Sequence, residues 1–176
     1  LKLKKMHSIR KIVMNMMIRL LIVGLASMTA LAFAEDQSAF AQMKQMEGSW
    51  EGMLTRSTGE VVETRSTFRL ISDGNTIVET LVEDGVEMLT TYSEQDGQLK
   101  VTHYCSLGTE PEFTGSIEDG SVDLALAADT GLHAEHHNYV ASMNYNFADV
   151  EGGSVVVSST IMNGGAMSRI ERLLAG

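Results

Sequence analysis

Seven turn signals punctuate the chain from residue 58 onward: Thr58-Gly59, Asp73-Gly74, Asp84-Gly85, Asp96-Gly97, Asp119-Gly120, Gly152-Gly153 and Gly164-Gly165. Short runs rich in Val, Ile, Thr, Tyr and Phe fill the gaps. Asp-Gly tolerates the positive φ angles that a tight hairpin loop demands. The pattern predicts ten strands, at about 49–56, 61–72, 76–83, 87–94, 99–107, 112–118, 121–128, 138–148, 154–163 and 166–174. Strands joined this tightly are antiparallel neighbours. A meander of that length removes its aggregation-prone edges by closing. The expected fold is therefore all-β, a closed antiparallel up-and-down barrel of about ten strands. A short helix is expected just before it. Ser38 can cap that helix, Phe40, Met43 and Met46 recur at helical spacing, and Gly48 can end it.

The start of the chain reads differently. Lys2, Lys4, Lys5, Arg10, Lys11 and Arg19 come with no acid among them. An uncharged stretch of 15 residues follows, Leu20 to Ala34, and ends in Ala32-Phe33-Ala34. Small residues at those two positions suit a signal peptidase, so residues 1–34 have the layout of a secretory signal peptide. The stretch is short of the ~20 residues that span a bilayer. The expected division is a leader over 1–34 and one barrel domain over 35–176, periplasmic or secreted, with no stable membrane insertion once the leader is cleaved.

Removing the leader leaves seven basic residues against all 23 acids, a net charge of −16. Such a surface repels phosphate backbones, which argues against nucleic acid as a partner. Cys105 is the single cysteine, so no disulfide can form within the chain.

Strand parity assigns the faces. Thr64, Ser66, Phe68 and Leu70 alternate with Glu63, Arg65, Thr67 and Arg69, and the charged set belongs in water. Tyr139, Ala141, Met143, Tyr145 and Phe147 form the expected inward set of the eighth strand. Lys100 turns Val101, His103, Cys105 and Leu107 inward. In the third strand Val78 and Val82 compete with Ile77 and Leu81 for the core, and Glu79 travels with the second pair. It is either a buried acid with a raised pKa or an Arg partner, or an ordinary surface carboxylate. Small and polar residues are common in the inward sets, which suggests a cavity rather than a filled core.

Gly48-Ser49-Trp50, at the start of the first strand, resembles the Gly-x-Trp signature of calycin barrels, among them lipocalins, fatty-acid-binding proteins and nitrobindin-like proteins. The resemblance implies that Trp50 closes one barrel end, with Arg169 or Arg172 of the last strand packed across it. Thr102, His103, Tyr104, Cys105, Gly108 and Pro111 are similar to the Thr-His-Tyr-Cys hairpin of a family of exported bacterial barrel domains with no settled activity. Nitrobindin-like barrels hold haem through a histidine on a late strand. The last two predicted strands have no histidine, which would leave His103, His136 or His137 as improvised ligands.

Three functions are compatible with these residues. The favoured one is non-covalent binding of a small apolar or amphipathic molecule. Phe68, Leu70, Tyr139, Met143, Tyr145 and Phe147 would supply apolar lining, Thr64, Ser66 and His103 the polar contacts, and Cys105 would also belong to the ligand-binding set. The second is a haem or metal barrel with redox or isomerase activity. His103, or His133, His136 and His137 beside Glu135, would be candidate ligands for zinc or copper. The third is a filled barrel acting as a structural or interaction module. Catalysis by a Cys/His dyad is not expected, because His103 and Cys105, two apart on a strand, sit about 7 Å from one another.

Overall fold

A computed structural model describes residues 38–176; the leader expected over 1–34 lies outside them. Four loops between strands are two residues long: Asp84-Gly85, Asp96-Gly97, Asp119-Gly120 and Gly164-Gly165. All eight of those residues have positive φ, from 48° to 79°. These are turns whose twist matches that of the strands they join. The loop around Asp73, from Ser72 to Asn75, is two residues longer, with Ser72, Asp73 and Gly74 all at positive φ.

The elements are α1 (Ala39–Met43), continued by a 3-10 turn (Lys44–Met46), then β1 (Gly48–Thr55), β2 (Val61–Ile71), β3 (Thr76–Glu83), β4 (Val86–Gln95), β5 (Gln98–Tyr104), β6 (Glu112–Glu118), β7 (Ser121–Leu126), β8 (Tyr139–Asn146), β9 (Ser154–Asn163) and β10 (Ala166–Ala175). Every strand pairs antiparallel with its chain neighbours. The last closes on the first, from Glu51 opposite Ala175 to Thr55 opposite Glu171. The closed ten-strand barrel expected from the turn pattern is the fold.

Its two ends differ. α1 leads directly into β1 and packs at the end where β1 begins. Ser38 Oγ caps the helix by accepting from the Ala41 N–H at 3.1 Å. Phe40, Met43 and Met46 then join Phe68, Tyr92, Phe113, Tyr145 and Phe147 in one buried cluster. The helix is thus a plug, and this half of the barrel is filled. Trp50 is buried beside it, and its Nε1–H donates to the Met46 carbonyl at 2.7 Å.

Two expected faces are corrected. A bulge in β8 lies between Val140, paired with Ile161, and Ser142, paired with Thr160. It reverses the parity upstream of Met143, so Val140 joins the core and Tyr139 does not, although Tyr139 is buried. β5 ends at Tyr104, and Leu107 lies in the following turn, exposed. His103 does face inward, while Cys105 sits half-buried just past the strand end.

Candidate functional site

The β2–β3 register resolves the ambiguity at Glu79. Phe68 faces Glu79 and Ser66 faces Leu81, so the inward face of β2 imposes Ile77, Glu79 and Leu81 on the interior. Glu79 is 1% exposed. On β10, Ile170, Arg172 and Leu174 share a face, and Arg172 is 2% exposed. A buried acid and a buried base from strands far apart in sequence therefore meet inside the barrel. Arg172 Nη1 lies 3.2 Å from Glu79 Oε1.

The carboxylate is well supplied with donors. Ser66 Oγ donates to Oε1 at 2.7 Å and Tyr92 Oη to Oε2 at 2.5 Å. Tyr145 Oη lies 2.6 Å from Tyr92 Oη and 3.4 Å from Oε2. The Tyr92 proton is committed to Glu79, so Tyr145 donates to Tyr92. Burial alone would raise the Glu79 carboxyl, but the Arg172 guanidinium and the two hydroxyls outweigh it and hold the carboxyl below its usual value. Burial and the Glu79 charge push both tyrosines upward, so they stay protonated donors. Glu79 in turn raises the Arg172 guanidinium against the effect of burial.

The other face of Arg172 is less satisfied. Its Nε–H is buried and has no hydrogen-bond acceptor. The Glu83 carboxylate is nearest, at 3.7 Å, beyond hydrogen-bond range. Burial raises the Glu83 carboxyl, and Arg172 only partly counters it. Arg172 and Glu83 line a cavity of about 150 Å³ in the barrel half opposite the helix. His103, Cys105, Ser106 and Ser159 also line it, and Leu81, Met88, Leu107, Val140, Met143, Ile161 and Ile170 make the rest of its wall apolar.

His103 is 3% exposed, and burial lowers its pKa to about 4, so it is neutral at pH 7. Its Nδ1 lies 2.9 Å from the buried Thr90 Oγ1. Thr90 has no other acceptor for its hydroxyl proton, so it donates to Nδ1. That assigns the imidazole proton to Nε2, which bonds no protein atom. Burial raises the Cys105 thiol, and no hydrogen bond joins it to His103. A protonated thiol without a base is not an activated nucleophile.

The expected site residues divide between the two halves. His103, Cys105 and Met143 line the cavity. Ser66 belongs to the Glu79 cluster beneath it. Thr64 is buried with its hydroxyl unpartnered, directly opposite Glu83. Phe68, Tyr145 and Phe147 are core residues of the plugged half, and Leu70 packs against that core half-buried. Tyr139 lies outside the core cluster for the reason the bulge gives. Neither arginine lies over the indole as expected. Arg172 is bound to Glu79, and Arg169 is on the outer wall donating to Ser158 Oγ at 2.9 Å. Gly176 takes that place, since a Cβ there would come within 3.1 Å of the Trp50 ring. Tyr92 and the pairing of Glu79 with Arg172 were not among the sequence expectations.

The histidine loop is separate from the barrel interior. His133 and His136 are exposed, and the His133 N–H donates to His137 Nδ1 at 3.0 Å. Among the described residues no group of three or more His, Cys, Asp or Glu side chains is placed to hold a metal ion. A larger depression, about 530 Å³, lies on the outer wall beside Glu51, Glu63 and Arg65. Those side chains point away from the interior, so it is an open surface hollow rather than an enclosed site.

No family model matches the sequence, and no curated protein matches it. Among solved structures, a redesigned β-barrel is 12% identical, over 77% of this chain and 94% of that one, with a TM-score of 0.39. The protein EF1p2_mFAP2b bound to DFHBI is 11% identical, over 78% of this chain and 98% of that one, with a TM-score of 0.34. The barrel described above rests on its own strand pairing and closure rather than on these likenesses.

Proposed function

We propose that the protein is an exported, calycin-like barrel that binds a small amphipathic molecule, without covalent catalysis, in the cavity opposite the helix. One observation carries this reading: a mostly apolar cavity in the barrel whose few polar lining residues include the buried Arg172 and the neutral His103. Small-molecule sites are concave, mostly apolar and carry a few polar groups that fix orientation, which is the make-up of this cavity. The plugged half positions Arg172, and the cavity half receives the ligand.

The cavity volume of about 150 Å³ limits the candidates. Pockets for drug-sized molecules run to roughly 300–1,000 Å³, so haem or a long lipid would require the interior to repack. Export rests on the leader-like composition of residues 1–34. The outward positions Glu51, Glu63, Arg65, Arg69, Glu87 and Glu171 support an aqueous location, since a lipid-facing band would be apolar there.

Native mass spectrometry of the protein purified from its own host tests the reading. The expected result is a chain beginning at Glu35 that carries a small non-covalent adduct. A bare mass, together with no shift of the His103 ring resonances on addition of benzene-sized apolar or amphipathic probes, would leave a structural module instead.

A further inference from the structure

The inner end of the cavity holds one fixed donor with nothing to bond. Among the described residues, the sealed side-chain groups without a partner are Thr64 Oγ1 and Arg172 Nε. His103 Nε2 is not one of them, although it bonds no protein atom and the residue is 3% exposed. It therefore keeps an opening, and the space that His103 borders is the cavity. Thr90 holds the ring at Nδ1, so the Nε2–H keeps its direction. Enclosed N–H groups are nearly always paired, and one with room beside it is suited to an acceptor from a bound molecule.

The registers of β3, β4 and β5 order the polar groups by depth. Glu79 pairs with Thr90 and Thr90 with His103, which sets the imidazole level with the buried ion pair. One step outward, Leu81 pairs with Met88. A further step outward, Glu83 pairs with Val86 beside the Asp84-Gly85 turn. Each step of two residues is about 7 Å along a strand. Ser106 and Leu107 are exposed beyond the end of β5. The rim is thus polar, with Glu83 and Ser106, and an apolar layer separates it from the imidazole. Cys105 belongs to that layer, because burial raises its thiol and a protonated thiol is only a weak acceptor. Ser159, paired with Met143 across β8 and β9, can donate or accept and selects neither.

We propose that the cavity takes a neutral, compact carbonyl compound, its oxygen inward on His103 Nε2–H and its hydrocarbon body between Met88, Val140, Met143 and Ile161. The inference rests on the binding reading above and narrows it. The volume of about 150 Å³ is that of a cavity that holds benzene. A carbonyl brings the acceptor that the N–H lacks and no donor of its own to bury. A hydrocarbon would leave the N–H unpaired, and an alcohol would carry a proton into the apolar layer. An anion would be the third negative charge around one guanidinium, since Glu79 and Glu83 already stand 3.2 and 3.7 Å from Arg172. An ammonium would set its own donors against the N–H.

NMR titration of the full-length protein with cyclohexanone, methylenecyclohexane, cyclohexanol, cyclohexanecarboxylate and cyclohexylamine tests this, since the five share a ring and differ in the group it carries. Cyclohexanone should bind about tenfold tighter than methylenecyclohexane, and tighter than the alcohol and the two ions. The His103 Nε2 resonance should move with the ketone and stay in place with the hydrocarbon. In His103→Leu the ketone should lose its advantage while methylenecyclohexane binds as before. If that variant does not fold, the Nε2 resonance of the wild type decides. Equal affinity for ketone and hydrocarbon, or a bound ketone that leaves Nε2 unmoved, would overturn the carbonyl inference and leave the cavity reading standing. So would an alcohol, carboxylate or amine that binds as tightly as the ketone. No binding by any of the five would overturn both readings together.

Discussion

At the scale of single residues, the interior is governed by one ion pair and the hydroxyls around it. Charges taken out of water regain their cost only when every partner is present. Glu79 has donors from three side chains, Ser66, Tyr92 and Arg172, and removing it would leave Arg172 buried and uncompensated. Glu79→Leu should therefore cost about 3–5 kcal/mol, read from the urea midpoint at constant slope. Glu79→Leu combined with Arg172→Leu should cost less than the sum of the singles by at least about 2 kcal/mol. Strict additivity would mean that the two do not act as a pair. His103 supplies a separate pH signal. Its folded pKa of about 4 lies below the usual 6.5, so the unfolded chain binds the proton first. Its contribution is fully present above pH 6.5 and is lost as pH falls toward 4, amounting to about 3 kcal/mol. The lowered Glu79 carboxyl acts later, below its unfolded value of 4.5, and the raised Glu83 carboxyl acts with the opposite sign. Subtracting the profile of His103→Leu from that of the wild type isolates the histidine. A flat difference between pH 6.5 and 4 would show that its ring is not buried neutral. The ion pair was half legible in the sequence. A lone acid within Ile77-x-x-x-Leu81 and a lone base within Ile170-x-x-x-Leu174 are each anomalous on an apolar face. Only the strand registers, β2–β3 for Glu79 and β1–β10 for Arg172, which parity within one strand cannot supply, turn both inward.

At the scale of elements, closure depends on a seam between β1 and β10 that the turn code does not describe. Gly52 lies opposite Leu174, and a Cβ built there would sit 1.8 Å from the Leu173 carbonyl oxygen. That contact involves backbone, so the strands themselves would have to part. Gly52→Ala is expected to destabilise by about 3 kcal/mol, at or beyond the upper end for overpacked sites. A thermal midpoint within 1–2 °C of wild type would show that the seam can widen freely, given that about 1 kcal/mol moves the midpoint by roughly 4 °C in a domain of this size. The elements themselves were largely legible. The Asp-Gly and Gly-Gly loops fix strand order because their conformation leaves few alternatives. The failures have specific causes. In β8 the run Tyr139-x-Ala141-x-Met143 keeps a perfect two-residue period, so nothing in it announces the bulge; the partner β9 imposes it. After β5 the alternation continues through Cys105 and Leu107, but the chain has already turned. The Gly108 N–H bonds the Cys105 carbonyl at 3.0 Å, with Gly108 at a φ of 81°. The division into a plugged half and a cavity half was not legible either. It depends on where α1 packs, and the apolar spacing of Phe40, Met43 and Met46 says that the helix is amphipathic without saying which barrel end receives it.

At the scale of the whole molecule, the charge distribution opposes folding while the interior supports it. Of the seven basic residues in 35–176, Arg172 is committed to the interior. Six cations then face the 22 acids that remain once Glu79 is set aside. Few surface acids find a basic neighbour; Arg56, bonded to Glu60 at 2.7 Å and to Asp84 at 3.1 Å, already serves two. Compaction brings the unpaired majority together, and their mutual repulsion is a cost the unfolded chain largely escapes. Salt should relieve it, since the Debye length falls from about 30 Å at 0.01 M to about 3 Å at 1 M. Raising NaCl from 10 to 500 mM is expected to raise the thermal midpoint by at least about 4 °C, equivalent to roughly 1 kcal/mol. The same titration separates surface from interior. Glu79 and Arg172 are out of reach of ions, so the penalty of Glu79→Leu should be the same at both salt concentrations. A midpoint that falls with salt would mean that exposed pairs such as Arg56–Glu60 outweigh the repulsion. A Glu79→Leu penalty that shrinks with salt would mean that solvent enters the barrel as far as Arg172, in which case the cavity is open to ions well beyond Glu83.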